Sequence, residues 1–200
     1  MTLTLVLPQS VAEELETIAR MPVETAGVLL VSVVNCADGS VRLLGREFIP
    51  VPDAAYIRRE KDALTISSDG YVHALARAES ISATALWVHT HPGLNSSPSS
   101  SSDDDLVDLQ LAETFRLRSG SDYYGALIVA PRASGFTYSG HLAIDRGESI
   151  LINRLWIVGD RFRLVHPHGQ PVSEPLQMFD RNVRAFGTAI QVTLEDLKIG

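Results

Sequence analysis

The sequence predicts an α/β fold with much antiparallel pairing, and three observations carry that reading. Apolar, β-branched runs of strand length alternate with segments of helical period. Two pairs of runs are joined by tight-turn signals, "ADGS" at 37–40 and Gly159-Asp160, which fold the chain back as hairpins. No internal repeat is visible, so a solenoid is not expected.

In chain order, "TLTLVLP" (2–8) alternates and reads as a first strand ended by Pro8. Ser10 is a candidate N-cap for a helix through "VAEELETIAR", with Glu13 three residues later completing a capping box. "TAGVLLVSVVN" (25–35) reads as a buried strand and "VRLLGREFIPV" (41–51) as its return. The stretch "PDAAYIRREKDAL" (52–64) carries no assignable period. Ser67 or Ser68 caps a helix through "DGYVHALARAES", and "TALWVHT" (84–90) is a strand stopped by Pro92-Gly93.

Leu106, Leu109, Val107, Leu111 and Phe115 give "DDLVDLQLAETFRLR" a helical spacing, with acids at its start as the macrodipole prefers. "YYGALIVAP" and "GFTYSGHLAI" are strands, and "RLWIVGDRFRLV" is a hairpin. The pattern thins at "HPHGQPVSEP", which predicts a domain over 1–168 followed by a linker and a helical stretch over 169–200.

Composition narrows the function classes. The chain is 45% apolar and 20% charged, enough for a real core. A net charge of −7 without a basic patch argues against nucleic acid as a partner. The single cysteine, Cys36, permits no internal disulfide and no cysteine-based zinc site, and a reducing, cytoplasmic setting is expected. The N-terminus lacks the basic start and cleavage pattern of a signal peptide, and no apolar run is long enough to span a bilayer, so no membrane partner is expected.

The chemistry concentrates in "HTHPGLNSSPSSSSDDD". On an extended strand His89 and His91 point to one face, with Cα atoms roughly 6.5–7 Å apart, close enough for both imidazoles to reach one metal ion. A carboxylate is a natural third ligand, and catalytic zinc sites stop at three protein ligands. The Pro-Gly turn and serine tract could return an aspartate from the next helix over the histidines. A hydrolytic site also needs a base, and Glu24 is the best candidate, because an acid leading into an apolar strand is costly without a reason. A serine hydroxyl in the loop could donate to a developing oxyanion.

"VETAGVLL", "HTHPG" and a downstream Ser-x-x-Asp resemble the signature of the JAMM/MPN (JAB) metallopeptidases across roughly residues 5–145. The resemblance implies an MPN/JAB-like fold, a curved mixed, largely antiparallel sheet flanked by helices. It also implies Zn2+ held by His89, His91 and an aspartate, with Glu24 as general base and a serine steadying the oxyanion. Ser100/Asp103, Ser101/Asp104 and Ser102/Asp105 all satisfy the spacing. Ser101 and Asp104 fit a bacterial subgroup pattern that extends through Pro98, Ser99, Asp105 and Asp108, and are favoured as the pair, with Asp103 next.

The tail "FDRNVRAFGTAIQVTLEDLKIG" resembles the opening of a ThiF or ubiquitin-activating adenylyltransferase domain, whose glycine-rich ATP loop would begin at Gly200. The two resemblances together imply the front part of a fused protein. Its substrate would be a ubiquitin-like protein cut after its C-terminal glycine, and its partners activating-type and conjugating-type enzymes. A metal-free scaffold docking such partners, or a peptidase acting on a small amino-acid-carrier protein, are the competing expectations.

Other candidates read as structural. His166 and His168 repeat the His-x-His spacing, but among turn residues with no acid following. His73 and His141 read as ordinary helix and strand residues, and Trp87 as core beneath the histidines.

Overall fold

The computed structural model describes residues 2–144 and 149–168, with Arg184, Gly187, Ile190 and Gln191 beyond them. Apart from those four positions, the linker and adenylyltransferase-like tail expected over 169–200 lie outside the described residues.

The chain runs β1 (Leu3–Pro8), α1 (Gln9–Ala19), β2 (Ala26–Asn35), β3 (Val41–Pro50), a 3-10 turn (Asp53–Ala55), β4 (Tyr56–Arg59), β5 (Leu64–Ile66) and α2 (Asp69–Ser80). It continues through β6 (Thr84–Thr90), α3 (Ser102–Ser119), β7 (Tyr123–Pro131), β8 (Phe136–Ile144), β9 (Ser149–Val158) and β10 (Arg163–Val165). Among the described residues, no helix is long and apolar enough to cross a membrane.

The main sheet corrects the expected fold class. An MPN/JAB-like α/β arrangement of an open, curved sheet flanked by helices was expected. Instead the order β1-β3-β2-β6-β7-β8-β9 closes on itself, because β1 pairs in parallel with both β3 and β9. The result is a seven-stranded mixed barrel, with β10 added on β9 and β4–β5 forming a separate hairpin. The physical cause is that both backbone edges of β1 find a partner, which removes the two free edges an open sheet would leave. Alternation in "LTLVLP" fixes which side chains face inward. It is silent on how many neighbours the strand has.

Closure divides the apolar residues into two clusters. Inside, Leu3, Leu5 and Leu7 of β1 meet Leu29 and Val31 of β2, Leu86 and Val88 of β6 and Leu127 and Val129 of β7, together with Val11, Ala12 and Leu15 of α1. Outside, α2 and α3 cover β2, β6 and β7 through Ala74, Leu75, Leu111 and Phe115 against Val28, Leu30, Trp87 and Tyr124. Each large aliphatic or aromatic side chain buried this way contributes roughly 1.5–3 kcal/mol. Every residue of β6 is buried, which is why residues 85–88 run apolar without alternating.

Local details differ in places. α1 begins at Gln9 with Pro8 before it, and no side chain caps it, so the Ser10/Glu13 capping box does not form. Glu13 instead accepts from Gln9 Nε2 at 2.8 Å. Ser68 precedes α2 without a side-chain cap bond. The unassigned stretch 52–64 becomes the 3-10 turn, β4 and the start of β5.

Candidate metal centre

β6 runs antiparallel to β2, with Ala26 opposite His89. The pairing continues past the last ladder residue, since Thr90 N–H donates to Thr25 O at 3.0 Å and Thr25 N–H to Thr90 Oγ1 at 3.0 Å. One more step sets Glu24 opposite His91. Residues opposite each other in an antiparallel ladder project to the same face. Glu24, Ala26, His89 and His91 therefore share the outer face, beside α3, and the small Ala26 leaves room next to the His89 ring.

The β4 strand fixes this end of β2. Arg59 donates from Nε to Glu24 O at 3.1 Å and from Nη2 to Thr25 Oγ1 at 2.8 Å. Tyr56 Oη accepts from Ala26 N–H at 3.0 Å. The segment without a readable period thus anchors the candidate base.

After Gly93 (φ +102°, a left-handed conformation suited to glycine), the chain turns through the serine tract into α3. Ser101 caps the helix and Asp104 completes a capping box, the cap chemistry expected at Ser10. Asp103, Asp104 and Asp105 occupy the first turn, where the helix dipole favours them. Of the three, Asp104 turns to the histidines: Oδ1 lies 3.1 Å from His89 Nε2 and Oδ2 lies 3.8 Å from His91 Nε2. Asp105 accepts from Ser100 Oγ instead, and Asp103 lines the groove rim.

Donor atoms of His89, His91 and Asp104 all lie within 4.8 Å of one another, and this group could hold a metal ion. Two observations test the fit. His89 is 5% exposed, yet neither ring nitrogen makes a hydrogen bond, so its 3.1 Å approach to Asp104 is not aligned as one. An unpartnered buried imidazole is costly unless a ligand satisfies it. His91 is oriented for the same purpose, with Nδ1 placed 2.7 Å from Ser97 O. A carbonyl only accepts, so Nδ1 carries a proton, and in the neutral ring the lone pair lies on Nε2, on the side of Asp104.

Without a metal, Asp104 and His91 stabilise each other's charged forms. Burial pushes the Asp104 carboxyl upward, but the adjacent His89 and His91 outweigh it and hold the group well below the usual range. Contact with Asp104 raises His91, against the opposing effect of burial. Burial raises Glu24, and the two histidines only partly offset this.

Ser101 sits in the same groove, but its hydroxyl hydrogen is directed at Asp104 Oδ2, 2.8 Å away. Its geometry is that of a residue holding the carboxylate. The groove itself is about 1050 Å³ and is flanked by β5 and by Trp87, which lies on the histidine face as expected.

Two sets of contacts went unread in the sequence, although Asp108 itself belongs to the acidic pattern noted there. Asp108, one helical turn beyond Asp104, accepts from Tyr124 Oη at 2.8 Å and stands 3.6 Å from His141 Nε2. His141, expected to be an ordinary strand residue, is thus the partner of a half-buried acid. Arg132 donates to carbonyls of the serine loop.

No protein-family model matches the chain, and no curated protein matches it. Among solved structures it is similar to the Trichoplax adhaerens STIL N-terminal domain, at 13% identity and a TM-score of 0.37, covering 88% of this chain and 46% of that one. This chain thus spans less than half of that structure's length.

Proposed function

We propose that the protein is a zinc-dependent peptidase or isopeptidase of the JAMM type in its donor set, acting on a ubiquitin-like protein after its C-terminal glycine. The observation that carries the reading is the convergence of His89, His91 and Asp104 within 4.8 Å, with Glu24, just before the facing strand, in the same groove. Two neutral imidazoles and one carboxylate suit zinc and leave a coordination position open. A zinc ion held there would supply Lewis acidity toward the scissile carbonyl and lower the pKa of water.

The chain's own residues supply the rest. Glu24, its carboxyl raised by burial, is suited to take a proton from water and pass it to the leaving amine. Ser97 O and Ser101 orient His91 and Asp104. The groove beside β5 is open enough to admit an extended chain end. The substrate class rests on the resemblance of the Glu24, His-x-His and Ser-x-x-Asp elements, and on the adenylyltransferase-like tail.

The test uses the full chain, stripped of metal and titrated with zinc, then mixed with ubiquitin-like proteins carrying a short extension or a lysine isopeptide after the final glycine. The expected result is about one zinc per chain, lost in His89→Ala, as three-ligand sites require. Cleavage should vanish in Glu24→Gln while zinc is retained. Zinc binding with every such substrate left intact would overturn the peptidase reading and favour a scaffold. Absence of zinc binding would overturn the metal reading itself.

A further inference from the structure

The loop between β6 and α3 supplies the carbonyl that orients His91, so whatever fixes that loop also fixes the ligand. Ser97, whose O accepts from the ring, is itself exposed and on an irregular stretch. Such a carbonyl would wander unless it were tied down, because a loop with few buried contacts opens easily.

Two side chains from the neighbouring strands tie it. Arg132, just past β7, reaches from Nη1 to Leu94 O at 3.2 Å, Ser96 O at 3.1 Å and Pro131 O at 2.9 Å. Ser139 of β8 donates from Oγ to Pro98 O. The two anchors bracket Ser97, one on the residue before it and one on the residue after it. A guanidinium is suited to this task because its donors lie in a fixed plane and it stays charged at any physiological pH.

The guanidinium is in turn approached from outside. His168 Nδ1 lies 3.4 Å from Arg132 Nη2, and His168 N–H donates to Tyr138 O at 2.7 Å. The chain leaving β10 therefore reaches the group that holds the ligand loop.

We propose that Arg132 is a positioning residue of the metal centre. By holding the carbonyl oxygens of Leu94 and Ser96, it keeps Ser97 O where that oxygen selects the His91 tautomer presenting Nε2 to the metal. The proposal rests on the metal reading above and adds to it the part of the chain that sets the ligand's orientation.

The experiment compares the full chain with Arg132→Gln and Arg132→Lys, reading zinc affinity by titration and the His91 tautomer by imidazole nitrogen NMR of the metal-free protein, at a pH where the ring is neutral. Loss of an outer-shell partner costs about 10–100-fold in metal affinity, so Arg132→Gln, acting one contact further out, should weaken zinc by about tenfold. It should also mix the His91 tautomers, and Arg132→Lys should recover part of both. A merely structural role would lower the melting temperature without moving the tautomer. An unchanged tautomer in Arg132→Gln therefore overturns the proposal, whether or not zinc affinity moves.

Should Arg132→Gln fail to fold, Arg132→Lys decides instead, since an ammonium lacks the planar pair of donors: an unaltered tautomer in it overturns the proposal. If the unsubstituted chain binds no zinc, the metal reading fails, while the tautomer measurement still decides whether Arg132 orients His91.

Discussion

Ser101 and Asp104 hold each other at the start of α3. Asp104 N–H donates to Ser101 Oγ at 3.2 Å, while Asp104 Oδ2 accepts from both the backbone N–H and the hydroxyl of Ser101 at 2.8 Å. One carboxylate therefore closes the helix cap with Oδ2 and faces His89 with Oδ1. The helix cap and the aim of the candidate metal-binding carboxylate thus depend on one side chain.

That coupling predicts two effects from Ser101→Ala. Loss of the cap should cost about 1 kcal/mol of stability, read by denaturant unfolding of the metal-free protein. Zinc affinity should fall by about tenfold, because the carboxylate loses an orienting partner. If stability falls but affinity does not, the cap and the ligand are independent.

Glu24→Gln should separate function from stability. Burial raises the Glu24 carboxyl above its ordinary value of 4.5, so its ionised form is disfavoured in the folded protein. For an acid with a raised folded pKa, the favourable contribution is present below 4.5 and is lost as pH rises through the folded value. Relative to Glu24→Gln, the metal-free parent should therefore lose stability as pH rises from about 4 toward neutrality. Paired unfolding curves across that range check it, and a constant difference would contradict the burial argument. The same variant should lack the proposed peptidase activity.

Much of the site was legible because it is local. His-x-His on a strand and an aspartate in the first turn of the next helix are set by spacing, and Glu24 lies next to a recognisable strand. The choice among Asp103, Asp104 and Asp105 was not legible from spacing alone. It depends on helical phase, which the Ser101 cap sets. Barrel closure was missed for a different reason: the β1–β9 pairing joins residues nearly the whole described chain apart, and alternation carries no record of a strand's second neighbour. Arg132 and the Asp108–Tyr124 pair act through contacts distant in sequence, and no motif marks those contacts.

Tyr124→Phe should expose the role of the Asp108 pair. Tyr124 is 1% exposed and its hydroxyl donates to Asp108 Oδ1 at 2.8 Å. Burial raises Asp108, and the Tyr124 hydrogen bond pulls it back down. Removing the hydroxyl takes a donor from a half-buried carboxyl, at a cost of about 1.5–3 kcal/mol when the acid is ionised. A double-mutant cycle with Asp108→Ala should show a coupling energy of roughly 1 kcal/mol or more. Additive effects would mean that the pair is not energetically joined.

Gly27→Ala tests how the barrel wall sets the candidate base. A Cβ at Gly27 would stand 2.6 Å from Phe48 Cε2 and 2.8 Å from Ile49 O. The phenyl ring is buried and Ile49 O is backbone of the neighbouring strand, so neither can yield cheaply. Overpacking of this kind costs about 1–3 kcal/mol. Relief requires β2 to move away from β3, and Ala26 and Glu24 move with it, since they precede Gly27 on the same strand end. The variant should therefore unfold at lower denaturant and lose the proposed peptidase activity out of proportion to its lost stability. Zinc binding, whose ligands lie at the end of β6 and on α3, should be largely kept. Equal loss of zinc and activity would place the damage in the ligand set and not at Glu24.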